Sequence, residues 1–376
     1  MFGKRITLFH LLGFEVHVDP SWLILAVLVT WSLAVGLFPH YYQGLAPATY
    51  WLMGIAGAMG MFFSILFHEF CHSLVARQFG LPIRGITLFI FGGVAEMEDE
   101  PSSPKAEFYM AVAGPLSSVV LGLAFYAAAN LMTASAATAS AEAVLSYLAS
   151  INWILAAFNL IPAFPLDGGR VLRAALWHWK KDLRQASRIA SRIGSGFGIF
   201  LMLFGAANFL LGNFIGGLWQ FMIGMFLRFA AATSYRQVVF RKTLEGETVG
   251  RFMNPRPVTA PPSITIRDLV ENYIYRYHFK MFPVTEDGRL LGCITTRSVK
   301  EIPQDEWERR TVGESIDQCS IENTIDPGTG ALNALSLMGR TKNSRLMVVE
   351  EGRLVGIISL KDIMGYLSLK IELGEK

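Results

Sequence analysis

The stretch Leu45–Phe67, LAPATYWLMGIAGAMGMFFSILF, contains no Asp, Glu, Lys or Arg and runs directly into His68-Glu69-Phe70-Cys71-His72. An apolar run of about 20 residues is what an α-helix needs to cross the hydrocarbon core of a bilayer. If the helix continues through the box, His68 and His72 lie one turn apart on one face, where both imidazoles reach a single metal ion. Glu69 then sits beside that face, placed to take a proton from a water at the metal. Ionisable groups at membrane depth are costly, and a bound metal is the natural compensating partner. Two buried histidines also serve as hydrogen-bond partners of carbonyls or as a proton path. A third ligand at membrane depth decides between these readings, because a catalytic zinc takes three protein ligands and keeps one position open.

A second uncharged run, Ala143–Leu166, ends in Asn159-Leu-Ile-Pro162-Ala-Phe-Pro165-Leu-Asp167-Gly168-Gly169. Two prolines within four residues break a helix, and the two glycines are expected to let the backbone turn freely after Asp167. Non-helical backbone at membrane depth is tolerated where it is buried in protein or lines a cavity. Asp167 is therefore expected on an irregular segment that faces the protein interior. The two motifs together, His68-Glu69-x-x-His72 and Asn159-x-x-Pro162-x-x-Pro165-Leu-Asp167-Gly168, resemble those of the site-2 protease family of intramembrane zinc metalloproteases. The resemblance covers roughly the first 240 residues. It implies His68, His72 and Asp167 as ligands of one Zn2+, Glu69 as the catalytic base, and Asn159 as a group that positions substrate or stabilises the oxyanion. Phe91-Gly92-Gly93-Val94-Ala95 and Ala113-Gly114-Pro115-Leu116-Ser117 resemble the family's short hairpin and the start of its third core helix.

Apolar residues make up 52% of the 376-residue chain and charged residues 17%, with a mean hydropathy of +0.39. This is the composition of a membrane protein. Most Asp and Glu lie after residue 240, so the formal charge of +3 carries no sign of a nucleic-acid partner. Cys71, Cys293 and Cys319 are far apart and form no CxxC pattern, which gives no sign of a disulfide framework; Cys71 is read as packing. Uncharged runs mark about six transmembrane helices: Trp22–Phe38, Leu45–Phe67, Phe108–Ala141 with its tail Thr133–Ser140 as a loop, Ala143–Leu166, and Ile193–Leu227 split by a turn at Leu211–Gly217. Arg228 is expected near the inner end of the sixth span, snorkelling. Arg170, Arg173, Lys180, Lys181, Arg184, Arg188 and Arg192 fall between spans four and five, so that loop is expected in the cytoplasm by the positive-inside rule. Both termini follow it there, in the plasma or inner membrane, and no cleavable signal peptide is expected because Glu15 interrupts the first apolar stretch.

The segment Ile86–Met97 is too short to span and reads as a membrane-associated β-hairpin centred on Gly92-Gly93. It either packs in the core or uses its open edge, at Gly92, Gly93 and Val94, to hold a substrate in extended form by strand addition.

After residue 240 charges return and a repeat appears. Phe282–Thr295 matches Leu346–Ser359 at an offset of 64, and Thr248-Val249-Gly250 recurs as Thr311-Val312-Gly313. Each unit reads as strand, helix, strand, turn, strand, helix, and two copies suggest a pseudo-twofold pair. The repeat resembles a tandem of cystathionine-β-synthase (CBS) domains, about 245–303 and 308–370, giving a soluble α/β module after a six-span membrane domain of residues 1–240. That resemblance implies an adenine nucleotide, with Ser359 and Asp362 in the ribose-contacting pattern Gly356-x-x-Ser359-x-x-Asp362. The first copy has Ser298 at the Asp position, and one dominant nucleotide site is expected because Ser does not replace a bidentate acceptor. A homodimer or docking surface formed through the pair is the other reading. The function implied is regulated intramembrane proteolysis of membrane-protein substrates. A metal-ion or anion transporter and an inactive protease-like scaffold are the competing classes; the first has no need of Glu69, and the second usually lacks the Glu or a ligand.

Overall fold

In the computed structural model residues 6–81, 83–90, 92–97, 100–132, 138–318, 322–341 and 343–373 are described. Phe91, Cys319 and residues 133–137 of the expected loop lie outside them, as do the side chains of Val94 and Ala95. The chain forms two compact units, Met1–Val238 and Val239–Lys376.

The first unit begins with strands β1 (Ile6–Leu11) and β2 (Phe14–Val18), followed by α1 (Ser21–Tyr41) and α2 (Pro47–Gln78). Strands β3 (Ile83–Phe89) and β4 (Gly92–Met97) come next. Five helices complete it: α3 (Pro104–Leu131), α4 (Ala139–Asn159), α5 (Asp167–Lys180), α6 (Leu183–Leu210) and α7 (Phe214–Leu244), which runs on into the second unit. All of these helices except α5 are long and apolar enough to cross a membrane, six among the described residues. Their starts follow local chemistry. Pro47 opens α2, Ser103 Oγ accepts from the Ala106 amide at the start of α3, and Asp182 caps α6 through the Gln185 amide.

Without a hydrophobic drive between helices in lipid, small residues decide which ones touch. A methyl group on Gly54 of α2 would meet the Thr30 carbonyl and Ala34 of α1, and one on Gly60 would meet Leu148 of α4. Gly198 and Gly205 of α6 lie against the carbonyls of Gly224 and Gly217 of α7, two backbones in direct apposition. The expected turn between these helices is confined to Leu211–Asn213, with Gly212 at φ +96. α7 continues past the apolar run to Leu244, so Arg228 lies near the middle of the helix and is exposed.

The expected hairpin starts at Ile83, not Ile86, and is half of a four-stranded sheet ordered β1-β2-β3-β4. β2 pairs with β3 in parallel, and β3 with β4 antiparallel. The sheet packs on α2 through Phe14, Phe70 and Ile86, the Phe14 ring standing edge-on to Phe70 at 5.6 Å. Phe70 lies inside the His box, so this contact brings the sheet beside Glu69.

The second unit holds two copies of an antiparallel hairpin, β5 (Met281–Glu286) with β6 (Arg289–Thr295) and β9 (Arg345–Glu350) with β10 (Arg353–Ser359). Each turns through two consecutive left-handed residues, Asp287-Gly288 and Glu351-Gly352, the two-residue turn that fits the strand twist. The short strands β7 (Asp317–Gln318) and β8 (Thr324–Ile325) join the same sheet. The helix at 266–277 belongs to the first copy, and Ala331–Thr341 and Leu360–Glu372 belong to the second. The leading segments are exchanged. Val249 and Gly250 donate to the carbonyls of Thr329 and Pro327 in the second copy, while Val312 and Gly313 donate to Ile264 and Pro262 in the first. Leu244, Val249 and Phe252 accordingly sit in one core with Ala331–Leu367 residues, and Val312 in the other with Ala260–Ile302 residues. The sequence repeats are thus not the packing units.

Candidate metal centre and catalytic site

The cysteine-containing His box lies within α2, and the helix period puts His68 and His72 on one face. Asp167 comes from across the bundle. His68 Nε2 and His72 Nε2 are 3.1 Å apart, and Asp167 Oδ2 lies 3.1 Å from the first and 3.2 Å from the second. All three residues are buried. Asp167 is the first residue of α5, not part of an irregular segment as its prolines suggested; the break is confined to the residues before it. Nor do Gly168 and Gly169 supply free rotation. Both are helical, and a methyl group on either would collide with the backbone of Leu160, Ile161, Ala163 or Phe164. They are small so that the segment before the helix folds back onto its first turn.

The other nitrogen of each imidazole is held. The His72 Nδ1–H donates to the Met110 carbonyl at 2.6 Å, which leaves the Nε2 lone pair aimed at the cluster. His68 Nδ1 is 2.8 Å from Ser118 Oγ. Gly114 lies between these two positions on α3, and a methyl group there would overlap the Nε2 atoms of both histidines. The space is thereby kept for something other than a side chain. For zinc bonds of about 2.0–2.1 Å, tetrahedral geometry separates donors by about 3.3 Å. The observed spacings, the neutral-nitrogen and carboxylate donors, and the reserved gap fit a zinc ion.

A cavity of about 210 Å³ opens beside the cluster, lined among others by Glu69, His72, Gly93, Asn159, Asp167 and Arg170. Glu69 is half-buried, and Asn159 is the last residue of α4. Gly93 is tightly apposed: its missing side chain would meet Glu69 Cγ at 2.6 Å. Gly92, at φ +124, needs glycine for its conformation instead. The cavity therefore gathers Glu69, Asn159, the hairpin residue Gly93 and two of the trio, His72 and Asp167. Cys71 is half-buried and outside the trio.

Peptidase family M50 matches residues 56–135 and 129–204, and the CBS domain matches residues 249–304 and 321–369. Rip3 of Mycobacterium tuberculosis is 33% identical over 362 residues, 95% of this chain and 91% of its own. The chain belongs to peptidase family M50. Zinc metalloprotease MJ0392 of Methanocaldococcus jannaschii is 30% identical over 84% of this chain and 86% of its own length. The solved site-2 protease from the same archaeon is 29% identical, with a TM-score of 0.44, over 61% of this chain and 94% of that one. This M50 member is a metallopeptidase of the site-2 protease type and a multi-pass membrane protein, and zinc is the metal its family implies.

In the CBS tail of this M50 protein, Asp362 Oδ2 accepts from the Ser359 amide at 2.9 Å and from the Ser359 hydroxyl at 2.6 Å. The pair caps the last helix. In the first copy, the Ser298 hydroxyl donates to Asp317 Oδ2 at 2.9 Å. A carboxylate thus reaches the position that Ser298 leaves neutral.

Sequence reasoning missed Met110, Ser118 and the spacing role of Gly114. It also counted Arg173 among the loop cations, whereas Arg173 is buried and paired with Glu107 and Glu100. The available signal was the run Glu107, Met110, Gly114, Ser118, which falls on one helix face at intervals of three and four.

Proposed function

We propose that this M50 member hydrolyses peptide bonds in or near the transmembrane segments of membrane-protein substrates. The observation that carries the reading is the convergence of His68, His72 and Asp167 within 3.2 Å beside Glu69, amid helices apolar enough to span a bilayer. His68, His72 and Asp167 hold the ion. Zinc, when bound, supplies Lewis acidity that polarises a carbonyl and makes water more acidic. Glu69 accepts the proton that the attacking water loses and delivers it to the leaving amine nitrogen. Asn159, in the same cavity, donates its amide hydrogens to substrate or to the oxygen on which charge develops. Among the described residues no strand pairs with the outer side of β4, and an extended substrate adds there, past Gly92, Gly93 and Val94. Extension exposes a peptide bond that a helical substrate would shield.

The membrane is the cell membrane, with the N-terminus and the CBS tail in the cytoplasm; Lys180, Lys181, Arg184, Arg188 and Arg192, clustered between α5 and the apolar part of α6, support this side. The tail, a module spanning about 245–370, binds an adenine nucleotide at Ser359 and Asp362 and also serves as a dimer surface.

Purified Glu69→Gln protein tests the chemistry against a single-span substrate. Cleavage is expected to fall about 10²–10⁴-fold with zinc content unchanged. Near-wild-type cleavage by zinc-loaded Glu69→Gln protein would overturn the assignment.

A further inference from the structure

Arg173 is 3% exposed and Glu107 is fully buried. The Arg173 Nε–H donates to Glu107 Oε1, and Nη2 donates to Glu100 Oε2 at 3.1 Å. The guanidinium lies over the Phe164 ring, 4.9 Å from its centroid. A buried ion pair is seldom worth more to stability than well-packed apolar side chains of the same size. What a guanidinium supplies instead is direction, through a planar fork with fixed donors.

The two partners stand at informative places. Glu107 begins the face of α3 that continues through Met110, whose carbonyl holds His72, then Gly114, then Ser118 beside His68. Arg173 lies on α5, which opens with Asp167, and it covers Phe164 of the segment folded onto Gly168 and Gly169. One contact therefore joins the helix that orients both imidazoles to the helix that carries the carboxylate.

We propose that Arg173 and Glu107 are positioning residues that fix α5 against α3 and so set the distance between Asp167 and the two histidines. This rests on the reading that His68, His72 and Asp167 hold the metal.

The test uses the full chain in lipid nanodiscs, with zinc affinity read by chelator competition and geometry by the absorption spectrum of the cobalt-loaded protein. Arg173→Met and Glu107→Gln are each expected to raise the zinc Kd, by no more than the roughly 10–100-fold that loss of a ligand's own hydrogen-bond partner costs. The double variant leaves neither partner of the pair charged, so its thermal midpoint recovers towards wild type while zinc binding stays weak and the cobalt spectrum stays altered. Arg173→Lys keeps the charge without the fork and is expected to fold with weakened zinc binding. A double variant or Arg173→Lys protein with wild-type zinc affinity and spectrum would reduce the pair to a structural element and overturn the proposal. Asp167→Asn serves as the separating control: full zinc affinity in that variant refutes the ligand assignment itself, whereas its loss alongside intact binding in the Arg173 variants refutes only the clamp.

Discussion

Gly114 shows how much a single absent methyl group decides. A helix prefers alanine to glycine by about 1 kcal/mol, yet a side chain here would occupy the space shared by the two Nε2 atoms. Gly114→Ala is expected to lower zinc occupancy sharply and also to lower the melting temperature of the metal-free protein, because the added methyl would displace the buried imidazole ends of His68 and His72. Elemental analysis and calorimetric melting read the two effects separately, and full occupancy in the variant would show that the gap is not required. The histidine pair, Glu69 and Asp167 were legible in the sequence because the first three obey a helix period and the fourth follows a proline-broken apolar run. Met110 and Ser118 were not. They lie 38 and 50 residues from the histidines they contact, and a backbone carbonyl leaves no trace in residue type.

Among the elements, β4 brings the substrate argument to a testable point. Successive amides along a strand point alternately to its two neighbours, so one of Val94 and Ala95 donates towards β3 and the other towards the outer edge. Proline at the outward position removes a hydrogen bond that only an added strand would use. Val94→Pro and Ala95→Pro are therefore expected to behave unequally: one lowers cleavage without changing zinc content or thermal stability, and the other weakens the sheet as well. Unaltered cleavage in both would count against strand addition. The β3–β4 hairpin was readable from its β-branched, glycine-centred composition. The partner hairpin β1–β2 was not, because β1 is exposed along its whole length and carries no alternation of burial for a pattern to report. The segment before Asp167 was misread for a related reason: glycine signals either conformational freedom or close approach, and only the backbone of Leu160–Phe164 reveals that the second applies.

For the molecule as a whole, the internal repeat and its offset were legible, but the exchange of leading segments was not, since Thr248–Gly250 and Thr311–Gly313 read as the start of the copy they precede. Two predictions concern the tail. Titration calorimetry of the full chain with ATP, ADP and AMP is expected to give heat that falls in Asp362→Ala; a further fall in Asp317→Ala would show that Asp317 serves the first copy, and no heat with any nucleotide would remove the nucleotide reading. The second concerns Glu247, which accepts from Lys370 at 2.8 Å, Tyr366 at 2.9 Å and Arg251 at 2.7 Å. The Lys370 ammonium bond foremost, followed by those from Tyr366 and Arg251, pulls its carboxyl down to about 2 from an ordinary 4.5. A lowered folded-state value stabilises fully above the ordinary one and is lost as pH falls through the lowered one. Glu247→Gln is thus expected to lower the melting temperature of the tail at pH 7, with the difference from wild type shrinking between pH 4.5 and 2. A gap that stays constant across that range would show that the charge is not what matters.

The crossed segments of the tail also govern the order in which it can be made. Neither CBS copy closes its core from its own stretch of chain: the first waits for Val312, and Leu244, Val249 and Phe252 wait for Ala331–Leu367. A ribosome releasing the chain step by step leaves the first core open until Val312 has emerged and the second open until Leu367 has. A product that stops between Ile316 and Leu367 would then carry one half-built apolar surface, that of Leu244, Val249 and Phe252, in easy reach of quality-control proteases. The fold of the tail thus makes synthesis through Leu367 a condition for its own survival.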